Sequence, residues 1–190
     1  MQIIGKSLDK GFTYDDLKQI IKTCDTKGIV TELYNLNIGI KDLPEYKTAT
    51  DAQILILRNG VSKILGNSNK EDLYNEHIKL NWDSKAFMYG GVVNKKARHN
   101  LCYDNVSQEP DYEAGKGRII AFDDIPLTKQ IKGKLTEYFG EKAKDLVAEG
   151  NLYYNINYND IVYHGDSERK IVIAIRLGNN FPLRYQPSLC

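Results

Sequence analysis

The stretch that decides the predicted fold is residues 151–178, NLYYNINYNDIVYHGDSERKIVIAIRLG. It contains three short runs rich in β-branched and aromatic residues, at 152–154, 161–163 and 171–175. Polar segments with Asn, Asp or Gly separate these runs, which is typical of strands joined by turns. Helices and mixed elements precede them in the chain. This order predicts an α+β fold in which helices pack outside a sheet or barrel.

Capping signals and hydrophobic periodicity predict the earlier elements. Thr13, followed by Asp15 and Asp16, predicts the start of a helix that Gly28 ends. Two further helices are predicted, one at 68–80 and one from Thr128 to 139, with a second segment running to about 149. The remaining predictions are strands at 30–36, 52–57, 87–93 and 118–122 and a surface loop at 104–117. For 52–57, periodicity does not distinguish a buried strand from a helix, and we favour a strand.

Length and composition indicate one soluble domain spanning residues 1–190, in which residues 1–50 form an N-terminal extension of helix and strand. The chain is 42% hydrophobic and 27% charged, ordinary values for a globular protein. Its formal net charge of +1 excludes a broad basic surface. A nucleic-acid partner would therefore need a local basic patch, because the electrostatic part of binding scales with the phosphates contacted.

The cysteines and the hydropathy pattern indicate the compartment. Cys24, Cys102 and Cys190 are far apart, which predicts neither a disulfide framework nor a zinc site and favours a reducing environment. We expect Cys102 to be a small buried residue. No stretch approaches the roughly 20 apolar residues of a membrane span, so we expect no membrane contact and a cytoplasmic location.

A His-x-Asp pair at the end of a predicted strand is the main candidate metal site. Side chains two residues apart in a strand point to the same face, so His164 and Asp166 can supply two ligands of a facial triad. The pair alone is a weak signal, because an Asp in a turn beside a strand-end His is a common structural arrangement. Glu168 and Arg169 either orient the metal ligands or form a surface pair, and we favour the surface pair.

Residues 151–186 resemble the AlkB-like iron(II)/2-oxoglutarate dioxygenases. In that family an Asn-x-Tyr strand precedes the His-x-Asp pair, an acidic-Glu-Arg tail follows, and a strand ends in Leu-Gly. The resemblance implies that His164 and Asp166 bind Fe(II) and that Asn151 and Tyr153 contact 2-oxoglutarate. The spacing from Asn151 to His164 is slightly longer than in the family, so the tyrosine role could fall on Tyr154 instead.

A second segment, MYGGVVNKKARHNLCY at residues 88–103, resembles a subgroup of oxygenase-like proteins that includes some from large DNA viruses. Those proteins also carry HGDxER and an Arg-Leu-Gly strand, which extends the resemblance to about residues 50–186. Because the family's substrate lid lies upstream of the metal pair, the resemblance implies substrate contacts at Tyr89, Lys95, Arg98 and Asn100. Basic and aromatic side chains suit phosphate contact and base stacking. A solvated basic face is the open alternative.

The chain departs from the family after Asp166. In the family a second metal-binding His and a 2-oxoglutarate-binding Arg lie well downstream, whereas only 24 residues follow here and none is His. The resemblance therefore implies a partial double-stranded β-helix (jelly-roll), with residues 51–190 as an incomplete, C-terminally truncated dioxygenase-like domain. Missing strands would leave open sheet edges, which chains often cover by oligomerising.

Two functions follow as expectations. The first is a 2-oxoglutarate/Fe(II)-dependent dioxygenase-like protein whose activity is impaired or lost, with an alkylated base or a protein side chain as substrate. The second is a non-catalytic module that contacts nucleic acid or protein through the basic cluster at residues 95–100. A gene product without a role is a third alternative. His77 shares a helical face with Leu73 and Leu80, so we expect a core or boundary histidine rather than a ligand.

Overall fold

A computed structural model describes residues 11–47, 52–161 and 171–185. The helices are α1 (Tyr14–Thr26), α2 (Gly60–Leu65), α3 (Lys70–Ile78) and α4 (Pro126–Phe139). The strands are β1 (Val30–Asn35), β2 (Gln53–Arg58), β3 (Lys85–Met88), β4 (Gly91–Asn94), β5 (His99–Asp104), β6 (Ile119–Ala121) and β7 (Ala148–Leu152). Short 3-10 turns span Leu36–Ile40, Pro44–Lys47, Phe122–Asp124 and Glu141–Ala143. The predicted α+β class is confirmed.

Helix α1 begins where the capping signal predicts. The Asp16 N–H donates to Thr13 Oγ1 at 3.2 Å, and the Thr13 N–H donates to Asp16 Oδ2 at 2.6 Å, which completes a capping box. Lys142, beyond α4, also donates to Asp16 Oδ2 at 2.6 Å and joins two distant parts of the chain. The hydrogen bonds that the Asp16 carboxylate accepts lower its pKa to about 2, and the one from Lys142 has the largest effect.

The strands form three small sheets. β1 pairs with β2 and β3 pairs with β4, each antiparallel, and the third sheet has the order β6-β5-β7. In that sheet β5 is parallel to β6 and antiparallel to β7. β1 precedes and β2 follows the predicted boundary at residue 50, and the two strands pair with each other. The division of the chain into an extension and a main part at that residue stays a prediction.

Two hydrophobic clusters form the core. The larger gathers the buried faces of all four helices around Ile20, Cys24, Leu73 and Ile131. The smaller lies under the three-stranded sheet and consists of Leu101, Tyr103, Phe122 and Ile125, with Leu80, Trp82, Ile120 and Ala148 packed against it. Helix α3 touches both clusters, since Leu73 belongs to the larger and His77 contacts Tyr103 of the smaller.

Several predicted elements differ from the structure. The predicted strand at 87–93 is a hairpin, because both Tyr89 and Gly90 have positive φ and reverse the chain. The predicted helical segment running to about 149 is instead a 3-10 turn and the start of β7. Residues 171–175 form no regular strand. Helix α2 was not predicted, because six residues are too few for a clear helical period.

Part of the sequence analysis concerns residues outside this description. His164, Asp166, Glu168 and Arg169 lie there, as do most of the predicted strand at 161–163 and the terminal Cys190. Cys102, expected to be buried, is exposed, because it lies on the open face of β5. Among the described residues, no helix combines the length and apolar character needed to cross a bilayer.

Candidate functional site

The basic hairpin, which we define as β3, β4 and residues 95–98, carries the predicted substrate residues Tyr89, Lys95 and Arg98. Tyr89 (φ 56°) and Gly90 (φ 83°) occupy its turn, a pattern typical of two-residue hairpin turns with both central residues left-handed. Tyr89 is 96% exposed, and Phe87 and Met88 beside it are also exposed. The hairpin therefore presents an aromatic and apolar tip to solvent.

The hairpin is also the most basic part of the chain. Residues 84–103 contain four basic side chains, Lys85, Lys95, Lys96 and Arg98, and no acidic one. Since the whole chain has a net charge of +1, the rest of it carries a net −3. The local basic patch that nucleic-acid binding would require is thus present in the sequence and concentrated on one element.

A buried asparagine holds the basic segment in place. Asn159 is 2% exposed, its Nδ2 donates to the Lys96 carbonyl at 2.8 Å, and its Oδ1 accepts from the Asn155 N–H at 2.6 Å. The Tyr154 hydroxyl also donates to the Lys96 carbonyl at 3.4 Å, and the Tyr154 ring lies 4.3 Å from that of His99. The turn after β7 therefore positions the predicted substrate segment, a role that sequence reasoning missed for Asn159.

Strand register brings predicted substrate and cofactor residues together. In the antiparallel β5–β7 pair, Asn100 lies directly opposite Asn151 and Cys102 opposite Glu149. Because opposed residues share a face, these four side chains form one surface, which we call the polar face. Asn151 Nδ2 donates to Glu149 Oε1 at 3.2 Å.

Charged groups at the polar face perturb one another. Burial lowers the pKa of Lys95, and Asp83 partly offsets this. Burial and then the Glu149 carboxylate raise the pKa of the Cys102 thiol, so Cys102 is a protonated thiol near neutral pH. Arg98 Nε is buried with no acceptor in the part of the chain that the structure describes. Such an orphan donor is uncommon in a folded protein.

Asp83 fixes one edge of the polar face. It is 3% exposed and pairs with Asn100 of β5 in an antiparallel bridge. Its carboxylate accepts from the Tyr112 hydroxyl at 2.7 Å and the Arg118 N–H at 2.5 Å. Burial and the Asp83 hydrogen bond raise the pKa of Tyr112 to about 12. These contacts stabilise a buried carboxylate that would otherwise be costly.

A second polar cluster, the buried relay, joins side chains of β5, α3 and α4. The Tyr103 hydroxyl is 2.9 Å from His77 Nδ1, and His77 Nε2 is 2.7 Å from Thr128 Oγ1. Thr128 Oγ1 donates to Glu76 Oε1 at 2.8 Å, so its oxygen accepts from His77 Nε2–H and Nδ1 accepts from Tyr103. Burial lowers the pKa of His77 and raises that of Tyr103.

The buried relay is connected to the backbone of α4 through Glu76. The Glu76 carboxylate accepts from the backbone N–H groups of Leu127 and Thr128 at 2.8 and 3.1 Å, and thereby caps α4. Thr128 therefore lies inside the helix rather than at the cap position predicted for it. With both ring nitrogens engaged and an intermediate burial, His77 is a boundary histidine, one of the two alternatives expected for it.

The other predicted site residues are distributed as follows. Tyr153 follows β7 and stacks on Phe181, with ring centroids 4.8 Å apart. Tyr89 lies in the hairpin turn, and the four residues of β4, about 13 Å of strand, lie between that turn and Lys95. The structure therefore brings Lys95, Arg98, Asn100 and Asn151 into one region, with Tyr89 at the opposite end of β4. The metal pair at 164 and 166 lies outside the described residues.

The chain is similar to a viral protein over nearly its whole length. "Uncharacterized protein R156" of Acanthamoeba polyphaga mimivirus is 47% identical over 186 residues, a match that covers 98% of this chain and 71% of that protein. No protein-family model and no solved structure matches the chain. Identity at this level over nearly the whole chain requires a common fold and ancestry, so the chain belongs to the same protein family as this mimivirus protein.

Proposed function

We propose that the chain is a 2-oxoglutarate/Fe(II) dioxygenase-like protein with impaired activity. The observation that supports this most is the register of β5 and β7. The resemblance assigns Asn100 to substrate contact and Asn151 to the cosubstrate, and the two lie directly opposite each other on the polar face. β7 also leads into the His-x-Asp segment. A single site would use both sets of residues.

The described residues fit the cosubstrate only in part. Asn100, Asn151 and Lys95 are neutral and cationic donors suited to one carboxylate, while Glu149 beside Asn151 opposes a second negative charge. His77 does not supply a further imidazole ligand, since both of its ring nitrogens are engaged in the buried relay. Two protein ligands hold Fe(II) more weakly than three, which is the reason for the impairment we propose.

The finer fold belongs to the same proposal. We propose that β5 and β7 form part of a double-stranded β-helix, whose sheets are antiparallel. The antiparallel β5–β7 pair supports this, and the parallel β5–β6 pair lies outside that pattern. We further propose that the chain oligomerises, because the outer side of the β1–β2 sheet leaves Val30 and Tyr34 exposed. A concentration-independent monomer in light scattering would contradict oligomerisation.

An anaerobic titration with Fe(II) and 2-oxoglutarate tests the dioxygenase proposal. We expect a saturable charge-transfer absorbance that is lost in His164→Ala and weakened in Asn151→Ala, with slow 2-oxoglutarate turnover in air. Asn105→Ala, which changes an exposed asparagine just beyond the end of β5, is the matched control. A folded wild-type protein that gives no absorbance would refute the proposal. Rapid turnover would refute the impairment.

The basic hairpin supports a second candidate, a module that binds single-stranded nucleic acid. Four basic side chains in a segment, residues 84–103, that contains no acidic residue, together with the 96% exposed Tyr89, combine charge with a stacking surface. Binding of this kind needs no metal. It would use the same Lys95 and Arg98 that the first proposal places near the substrate.

Salt-dependent binding of a labelled oligonucleotide tests this candidate. Replacing Lys95, Lys96 and Arg98 by Gln should lower the slope of log affinity against log salt by about 2, since each phosphate contact contributes roughly 0.7 for single strands. Tyr89→Ser should weaken binding about tenfold without changing the slope. Lys22→Gln/Lys116→Gln/Lys79→Gln removes equal charge elsewhere and should change neither. An equal loss of affinity in the control variant would show that binding depends only on the charge of the whole chain, which would contradict a binding site on the basic hairpin.

A further inference from the structure

A cleft separate from the polar face lies between α4 and the turn that leads into β7. Its volume is about 360 Å³, within the range of small-molecule sites. Lys129, Lys132 and Gly133 line it from α4, Lys144 and Leu146 line it from the turn, and Phe122 forms part of its wall. The cleft therefore combines cationic and apolar surfaces that come from different parts of the chain.

The lysines of the cleft are only partly neutralised. Lys129 forms an ion pair with Asp123. Lys132 Nζ lies over the Phe122 ring, 4.0 Å from its centroid, and within the described parts of the chain no carboxylate pairs with Lys132 or Lys144. Asp145 is the one acidic residue among the lining side chains of the described cleft. Two ammonium groups at its walls thus remain available to an anion.

Gly133 gives the α4 wall of the cleft its shape. It lies in the interior of α4, where glycine destabilises a helix relative to alanine. A Cβ built at Gly133 would meet no atom within 4 Å, so packing of the chain does not require glycine there. The missing side chain widens the cleft and exposes the helix surface beside Lys132.

We propose that this cleft binds a small phosphate monoester, with the phosphate between Lys132 and Lys144 and the organic part against Gly133 and Leu146. Ammonium groups form charge-assisted hydrogen bonds with phosphate oxygens. The apolar wall removes apolar surface of the organic part from water, which favours binding. The proposal is independent of dioxygenase activity and of the basic hairpin, since it shares no residue with either.

Isothermal titration of the full chain with adenosine monophosphate and with inorganic phosphate tests the site. We expect saturable binding of the monoester, tighter than that of inorganic phosphate. Lys132→Gln/Lys144→Gln should weaken it at least about tenfold, because each removed lysine loses a charge-assisted hydrogen bond. The matched control Lys22→Gln/Lys116→Gln changes two exposed lysines elsewhere and should stay within about twofold of wild type.

Gly133 provides the steric arm of the test. Gly133→Leu should block the monoester while inorganic phosphate, which needs less room, still binds. Gly133→Ala should keep the fold and raise the melting temperature, which shows that the helix tolerates a side chain at this position. No saturable binding of either probe at up to about 10 mM would overturn the proposal. Equal weakening in the two lysine pairs, or unchanged monoester binding in Gly133→Leu, would overturn it as well.

Discussion

Gly150→Ala should be among the most destabilising single-methyl substitutions in this chain. Gly150 lies on the core side of β7, opposite Leu101. A Cβ at this position would be 2.2 Å from the Tyr103 hydroxyl oxygen and 2.9 Å from Trp82 Cη2. Because Tyr103 is only 6% exposed, its ring has little room to withdraw. The methyl group must therefore displace either β7 or the buried relay.

The expected cost follows from two contributions. Normal van der Waals contact requires the Tyr103 hydroxyl to move by more than 1 Å, and overpacking of this kind costs about 1–3 kcal/mol. That movement breaks the 2.9 Å hydrogen bond to His77 Nδ1 and leaves a buried acceptor unsatisfied, which costs about 1–3 kcal/mol more. We expect the free energy of unfolding to fall by about 2–6 kcal/mol, a large part of the stability of an ordinary domain.

A double-mutant cycle measured by urea unfolding separates these contributions. Tyr103→Phe removes the oxygen that the new methyl would meet, so the double variant should be more stable than the sum of the single variants predicts, by about 1 kcal/mol or more. Gly133→Ala is the matched control, since its Cβ meets no atom within 4 Å. A loss below about 0.5 kcal/mol in Gly150→Ala, or strict additivity in the cycle, would refute the reasoning.

Three further outcomes are expected. Burial lowers the pKa of His77 in the folded protein below about 6.5, its value in the unfolded chain. As the pH falls below about 6.5, the unfolded chain therefore binds a proton that the folded protein does not. The free energy of unfolding should fall until the pH reaches the folded-state pKa. Urea unfolding between about pH 5 and 7.5 should show a flatter profile in His77→Gln, and an identical profile would contradict this account. Asn159→Asp cannot donate to the Lys96 carbonyl and should lower the free energy of unfolding by about 1–3 kcal/mol, and faster amide exchange at residues 95–98 should accompany the loss. Thr13→Ala removes the α1 cap and should cost about 1 kcal/mol in the same assay, whereas Thr13→Ser should cost much less.

Sequence reasoning found several residues of the candidate site but not their arrangement. Asn100 and Asn151 were predicted from separate segments, and only the register of β5 and β7 places them opposite each other. No sequence pattern indicated the role of Asn159, because an asparagine in a turn has the same local sequence context whether it is exposed or donates a hydrogen bond to a distant carbonyl. The lysines around Gly133 were also missed, since the cleft is formed by residues that are distant in sequence.

The sequence by itself determined the elements that depend on short-range contacts. The cap at Thr13, the β2 run and α3 follow from hydrogen bonds and periodicities within a few residues, and the structure has them close to the predicted positions. Tertiary structure decided the rest. Glu76 caps α4 from another helix, and Gly150 is required by a tyrosine and a tryptophan on other segments. Contacts of that range depend on how elements pack, and no local pattern records them, because residues far apart in the chain meet only once the whole core has formed.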